Sequence, residues 1–443
     1  MILSRHLTAI VLICFFCTMT LFACIGPAGA SQTDNTHPSG LSALFEWAFA
    51  PGDVLGTGAA APIVLSTRAG RVAVRGNGAG SDRGEAVFLV LKDLDKSVPD
   101  AAAFYTGAMG NNGIVAGLTA IDETGDGYAD FVYAGDLGGN LWKLDIRADK
   151  IDDWEFAFQS AGTPKPFFTA KNNRGGVQPI TTAVDVMRHC MPTHSGYILL
   201  FGTGGSGGDP SASGIQSVYA LWDWQPQWKA IDGTDDAGLS KSFGEFTRPH
   251  LSGIKALWDE THRFPGITGL TLLEQMVQET VIVGDDEFVI MSDHPIDWWH
   301  PESQSGRNIG WYFDLPNPGE RVIRNPALRD NTATVITAIP GSDPHDPWTS
   351  ILYMVDACSG GSPAWSRFDV NQDGAVTSDD TVVDSRGQKR RPGGLVLDFK
   401  ASGIEEYPGL LAVIDPDGNI RRILPTAFRS SGAIYWYVPD YGW

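Results

Sequence analysis

The chain reads as all-β, arranged as a modified β-propeller with a β-sandwich as the alternative, and three observations lead there. Its composition is turn-dense and aromatic, with Gly 52, Pro 27 and Trp 14 among 443 residues. Amphipathic helical periodicity is scarce along the whole sequence. What recurs instead is a short apolar run, a Gly/Asp/Asn turn and a second apolar run, the pattern of many short strands joined by hairpins.

Taken in order, the first thirty residues read as an export signal rather than as part of the fold. Arg5 and His6 precede an apolar run, Ala9 to Phe22, too short for a comfortable membrane span. Ala28-Gly29-Ala30 supplies a small-residue cleavage site, so the mature chain begins near Ser31. Leu21-Phe22-Ala23-Cys24 is a rival, an imperfect lipobox whose Phe is out of place. Residues 31–43 follow as a flexible tail, and residues 44–443 as one propeller domain.

Within that domain, Ala61 to Leu65 turns through Arg68-Ala69-Gly70 into Arg71 to Val74. Phe131 to Ala134 turns through Asp136 to Asn140 into Leu141 to Leu144, and Leu410 to Ile414 turns through Asp415 to Asn419 into Ile420. Gly and Asn accept the positive φ that tight hairpins demand. Further strands are expected at Ala86 to Leu91, Tyr197 to Phe201, Gln216 to Trp222, Thr280 to Val283, Phe288 to Met291 and Ile351 to Val355. Asp285-Asp286-Glu287 is a charged hairpin turn. Residues 224–265 and 292–310 are long excursions, and Gln388 to Gly394 is a solvated basic loop.

Composition also excludes classes. With 43% hydrophobic residues the chain can offset the entropy of ordering. A formal net charge of -20 disfavours nucleic acid, whose phosphates it would repel. After Ala30 no apolar stretch is long enough to span a bilayer as a helix. Only Cys190 and Cys358 survive cleavage; an oxidising compartment would permit pairing, but their separation in sequence decides nothing.

Two acidic loops carry recognisable chemistry. Asp122-Glu123-Thr124-Gly125-Asp126-Gly127-Tyr128-Ala129-Asp130 places side-chain oxygens at positions one, three, five and nine, with the Tyr128 carbonyl at seven. Calcium takes six to eight oxygens at about 2.3–2.6 Å, and a curling loop delivers them from alternate residues. Tyr133 stands where an EF-hand needs Glu, so this loop leads straight into a strand. The second loop, Asp369 to Asp380, offers Asp369, Asn371, Asp373, the Ala375 carbonyl and Asp380, with Gly374 at the turn. That is the twelve-residue calcium pattern with Asp at its end. Both predict structural calcium, and the bland alternative is a pair of polar turns.

Weaker matches fall to structural readings. Gly204 to Gly208 fits G-x-S-x-G but lacks the helix of a nucleophile elbow. Asp209-Pro210-Ser211-Ala212-Ser213 has an integrin-type metal pattern without its α/β setting. His189, Cys190 and His194 lack a fourth zinc ligand. The scattered tryptophans read as packing residues.

The residues around the first loop resemble the PilY family of type IV pilus tip-associated proteins. Asp122 to Asp130 runs into Tyr133-Ala134-Gly135-Asp136-Leu137 and Gly139 to Asp145, similar to that family's blade. In the same order follow Pro166 to Ala170, Gln178 to Thr181, Phe201 to Gly204, Gln216 to Asp223, Gly310 to Pro316, Gly319 to Val322 and the Asp369 loop. Val74 to Gly78 ahead of Ala86 to Phe88 resembles a preceding blade. The resemblance implies an all-β modified propeller, complete or incomplete, with long loop insertions and calcium-binding loops. It implies a protein exported to the periplasm, outer surface or pilus tip. It implies calcium at Asp122, Thr124, Asp126 and Asp130, governing pilus extension against retraction, with adhesion and surface sensing besides.

The partners implied are the pilus with its minor pilins and a host or abiotic surface. Two departures qualify the transfer. Thr124 stands where the family has Asn or Asp, and the family's long N-terminal half, with its von Willebrand-like domain, is unmatched. The propeller is therefore incomplete, closed with fewer blades, or completed by a partner chain. Two other readings compete: a generic calcium-stapled surface scaffold, and a pyrroloquinoline quinone-type dehydrogenase, which the Gly139 to Asp145 blade resembles. No catalytic constellation stands, so the expectation is a non-enzyme.

Overall fold

The computed structural model describes residues 54–92, 100–110, 112–160, 162–172, 174–204, 214–223, 271–300, 305–341, 347–407 and 410–423, with isolated residues at 41–49, 94, 303 and 435–436. Its regular elements are strands, apart from the 310 turn Ile151–Asp153 and a few helical residues between 41 and 48. Leu41 and Ser42, at the end of the segment expected as a tail, are helical. The expected export signal, Cys24, the glycine run beyond Gly204, Asp209 to Ser213 and the 224–265 excursion lie outside the described residues.

Five main sheets follow one another along the chain, as blades do. The first is a meander of Ile63–Thr67, Gly70–Gly76, Val87–Leu91 and Ala101–Tyr105. The second orders Phe168–Thr169, Asn140–Asp145, Phe131–Gly135 and Thr119–Ile121, and Tyr435–Trp436 near the C-terminus adds to its edge. Asp185–Arg188, Tyr197–Gly202, Ser217–Asp223, Asn308–Asp314 and Thr271–Gln275 make the third. The fourth runs Val277–Val283, Asp286–Met291, Gly394–Leu397, Thr349–Asp356, Thr332–Ile339 and Arg321–Val322. Gly403–Tyr407, Leu410–Ile414 and Ile420–Ile423 form the fifth. The expected strands are all present, with ends shifted or extended by up to three residues. The 292–310 excursion ends inside a strand, and the basic loop contains Lys389–Arg390, paired with Val382–Val383. Among the described residues the sheets do not close on one another, and the architecture is a modified propeller.

Side-chain pattern follows position. Ile63–Thr67 has its first, third and fifth side chains buried, as a strand with one covered face should. Phe131–Gly135 and Tyr197–Gly202 are buried throughout, because apolar clusters lie on both faces. Phe88, Trp142 and Phe156 pack the first sheet on the second. Phe168, Tyr219 and Trp311 belong to the cluster shared by the second, third and fourth. Phe288, Phe368 and Leu411 join the fourth to the fifth.

A repeat underlies the first three sheets. Their second strands end in Gly76, Gly135 and Gly202, and a Cβ on these would overlap Ile114, Ile180 and Val322. Each contact residue lies on the chain leaving that sheet, so the missing side chain admits the crossing chain. A buried polar residue follows each glycine: Asn77, Asp136 and Thr203. Asp136 accepts from Trp142 Nε1 at 2.7 Å and from Asn112 at 2.8 Å.

The third and fourth sheets are stitched together. Thr271–Gln275 runs parallel to Asn308–Asp314 in the third; after Met276 alone, Val277–Val283 joins the fourth. Gln275, fully buried, donates to the His294 and Ser359 carbonyls at 2.8 and 3.0 Å and accepts from Ser292 Oγ at 2.5 Å. The two cysteines whose pairing the sequence left open form a disulfide, Cys190–Cys358, between the turn after Asp185–Arg188 and the turn after Thr349–Asp356.

Candidate metal-binding loops

The first acidic loop joins Thr119–Ile121 to Phe131–Gly135. The Asp122 carboxylate accepts from the N–H groups of Gly125, Asp126 and Gly127 at 2.6, 3.3 and 2.7 Å. Gly127 sits at φ +88°, a left-handed turn that strains any residue with a Cβ. Asp126 accepts from Tyr128 N–H at 3.0 Å. Asp130, fully buried, accepts from the N–H groups of Glu123 and Thr124 at 2.8 and 3.1 Å. The Thr124 hydroxyl reaches Asp122 at 3.4 Å.

A cation already approaches this loop. Arg68, in the turn between Ile63–Thr67 and Gly70–Gly76, donates Nη1 to Asp130 at 2.8 Å and Nη2 to Asp126 at 2.5 Å. The pair bridges the first sheet to the second. Tyr128 N–H, with Arg68 beside it, holds the Asp126 carboxyl below its usual range. Burial pushes neighbouring Glu123 the other way.

The second loop repeats the construction. Asp369 accepts from Asp373 and Gly374 N–H at 3.1 and 2.8 Å, with Gly374 at φ +89°. Asp373 accepts from Ala375 N–H at 2.9 Å, and Asn371 donates to Asp373 at 3.0 Å. Fully buried Asp380 accepts from Val370 and Asn371 N–H at 2.8 and 3.3 Å, and from Thr377 N–H at 2.6 Å. In both loops the first Asp binds the sixth N–H, the fifth binds the seventh, and the closing Asp binds the second and third. Gln372 donates to Asp286 at 3.3 Å, tying this loop to the fourth sheet.

All ten residues singled out in the sequence thus fall into two loops of one design. Among the described residues no three His, Cys, Asp or Glu side chains converge as a metal centre, because these carboxylates turn to their own loop's N–H groups. The donor set still fits calcium: each loop adds a Thr or Asn side chain and a backbone carbonyl to its carboxylates, all hard oxygens, and a carboxylate oxygen that accepts one N–H keeps a lone pair. In the first loop, Arg68 marks where positive charge is favoured. That role was invisible in the sequence, since nothing in spacing tells which turn arginine meets an acidic loop.

The zinc pattern at His189, Cys190 and His194 does not form, because Cys190 is in the disulfide. The ring centroids of His189 and His194 lie 4.7 Å apart, and those of His194 and His300 lie 4.4 Å apart. Trp222 and Trp298 cover His189. His189 Nδ1 accepts from Met191 N–H at 3.1 Å, and His189 Nε2 is buried without a partner among the described residues.

Residues 53–240 match the family model described as the PilY1 beta-propeller domain. The chain is 27% identical over 427 residues to the type IV pilus biogenesis factor PilY1 of Pseudomonas aeruginosa, covering 89% of this chain and 34% of that protein. A PilY1 homologue of Xylella fastidiosa is 30% identical over 321 residues, covering 71% of this chain and 21% of that one. The chain spans about a third or less of the length of these curated relatives. The crystal structure of the Pseudomonas aeruginosa PilY1 C-terminal domain superposes with a TM-score of 0.63 at 23% identity, over 84% of this chain and 73% of that one, a likeness of fold. No helix among the described residues is long and apolar enough to cross a membrane.

Proposed function

We infer, from a chain that carries a PilY1 β-propeller domain over residues 53–240, that it is an exported type IV pilus protein, acting in pilus assembly, in extension–retraction control and in surface adhesion. One observation carries the reading: the matched segment contains the whole Asp122 to Asp130 loop, closed by Asp130 and bridged by Arg68 to the neighbouring sheet. Calcium is the assigned ion at both loops, with Asp122, Thr124, Asp126, the Tyr128 carbonyl and Asp130 in the first. Asp369, Asn371, Asp373, the Ala375 carbonyl and Asp380 serve the second. Bound calcium would supply charge neutralisation and fix each loop's curvature. At the first loop it competes with the Arg68 guanidinium for Asp126 and Asp130. Minor pilins and the contacted surface are the assigned partners, and no catalysis is assigned, in keeping with relatives named as pilus biogenesis factors.

Calorimetric calcium titration of the chain from Ser31 tests this. Two sites in the micromolar range are expected, one lost in Asp126→Ala and the other in Asp373→Ala. Arg68→Gln removes the competing cation and should tighten the first site about tenfold, about 1.4 kcal/mol. No heat and no calcium-dependent rise in melting temperature would reduce both loops to polar turns. Undiminished surface pili in a deletion strain would overturn the pilus assignment separately.

A further inference from the structure

We propose that a cleft between the fourth sheet's turns and the basic hairpin at Val382–Arg390 binds an acidic saccharide, a hydroxyl-rich sugar carrying a carboxylate. The cleft, open to solvent, has a volume of about 630 Å³ and is lined by Lys389, Arg390 and Arg391 together with Asp293, Ser359 and Ser362. Pockets of roughly 300–1,000 Å³ suit small organic ligands. The proposal is independent of the calcium and pilus readings, since it concerns other residues and is read on the purified chain.

The placement of charge carries the argument. The chain has a formal net charge of -20, yet Arg386, Lys389, Arg390 and Arg391 fall within six residues. A polyanion is repelled by the protein as a whole, so only a local cationic site can hold one. Arg390 is already anchored: Nη2 donates to the Met291 carbonyl at 3.1 Å, and Nη1 lies 3.7 Å from Asp384. Lys389 and Arg391 are exposed, and neither side chain has a hydrogen bond or ion pair among the described residues. One fixed and two free cations make a wall suited to a carboxylate, which Arg can engage with two parallel N–H donors.

The other lining groups argue against a bare anion. Asp356, also in the lining, is occupied by its own turn, accepting from Cys358 and Ser359 N–H and from Ser359 Oγ. Asp293 is exposed and would repel a phosphate, but it can accept from sugar hydroxyls. Pro363 and Ala364 supply only a small apolar floor, which disfavours a lipid chain. Trp365, next in sequence to the lining residue Ala364 but outside the cleft's own lining, is 67% exposed and offers a platform for the apolar face of a pyranose that extends past the cleft. A sugar that presents both hydroxyls and a carboxylate uses every one of these groups.

Tryptophan fluorescence and calorimetry with trigalacturonate and sialyllactose would read the site, with maltotriose and hexaglutamate as controls. At least one acidic sugar should bind, maltotriose should bind at least about tenfold more weakly, and hexaglutamate should not compete. Lys389→Glu with Arg391→Glu should weaken the acidic sugar by about tenfold or more without moving the melting temperature. Trp365→Ala should weaken it by a smaller factor. The proposal falls if neither acidic sugar binds, if hexaglutamate binds equally, or if the charge-reversed double variant binds as the parent does.

Discussion

Asp223→Ala should destabilise the fold by about 3–5 kcal/mol, the loss expected when one partner of a buried ion pair is removed. Lys143 Nζ lies 2.6 Å from Asp223 Oδ2, with the two side chains 1% and 0% exposed. The Tyr133 hydroxyl donates to the same oxygen at 2.7 Å, and the ammonium sits 3.9 Å from the Phe131 ring centroid. The pair joins the second sheet to the last residue of Ser217–Asp223 in the third. Removing Asp223 strands an ammonium where water cannot replace the carboxylate, and deprives Tyr133 of its acceptor. Lys143→Met with Asp223→Leu should recover most of the loss, because desolvating two charges consumes much of what their attraction returns. Denaturant midpoints for both single variants and the double close the cycle. Additive single effects would mean the two groups do not depend on each other.

Acid should loosen the third sheet through His189. Burial, together with the nearby His194 and His300 rings, pushes the His189 imidazole from 6.5 down to about 3. His194 is lowered by burial and by His300. The neighbouring Arg188 guanidinium lies 6.0 Å from the Tyr197 ring centroid. A lowered folded value means the unfolded chain takes up protons first. Stability from this group is therefore complete above about pH 6.5, falls as pH drops, and is fully lost near pH 3. At about 1.4 kcal/mol per unit, His189 alone accounts for about 3 kcal/mol by pH 4 and between 4 and 5 at the limit. His189→Phe should flatten that part of the profile of denaturant midpoint against pH. Carboxylates titrate in the same window, so the difference between the two proteins is the readout. Superimposable profiles would refute the assignment.

Much of this was legible from residues alone, because strand and turn chemistry is local. Arg71 to Val74 and Phe131 to Ala134 announce themselves by apolar runs beside turn residues, and Asp122 and Asp369 by oxygen spacing. What escaped were relations between distant segments. Gly76, Gly135 and Gly202, each followed by Asn, Asp or Thr, are one repeat, but its meaning lies in Ile114, Ile180 and Val322 crossing behind. Lys143 looks like any surface lysine until Asp223, 80 residues on, is brought to it. Arg68 stood in an ordinary hairpin turn. Cys190 and Cys358 offered no distance, and the Gln388 to Gly394 run looked solvated although its side chains wall a cleft.

The joint between the third and fourth sheets has a mechanical consequence. Separating most adjacent sheets requires only that side chains slide apart, a zipper opened one contact at a time. Here the backbone passes from one sheet to the other at Met276, and Cys190–Cys358 clamps them a second time. A tensile load crossing this seam is borne by covalent bonds in parallel, so the seam yields after its neighbours. Single-molecule stretching from the termini should show the chain between Cys190 and Cys358, a sequence separation of 168, withheld from extension until a reductant is added and released afterwards. Identical traces with and without reductant would mean that the disulfide carries none of the load.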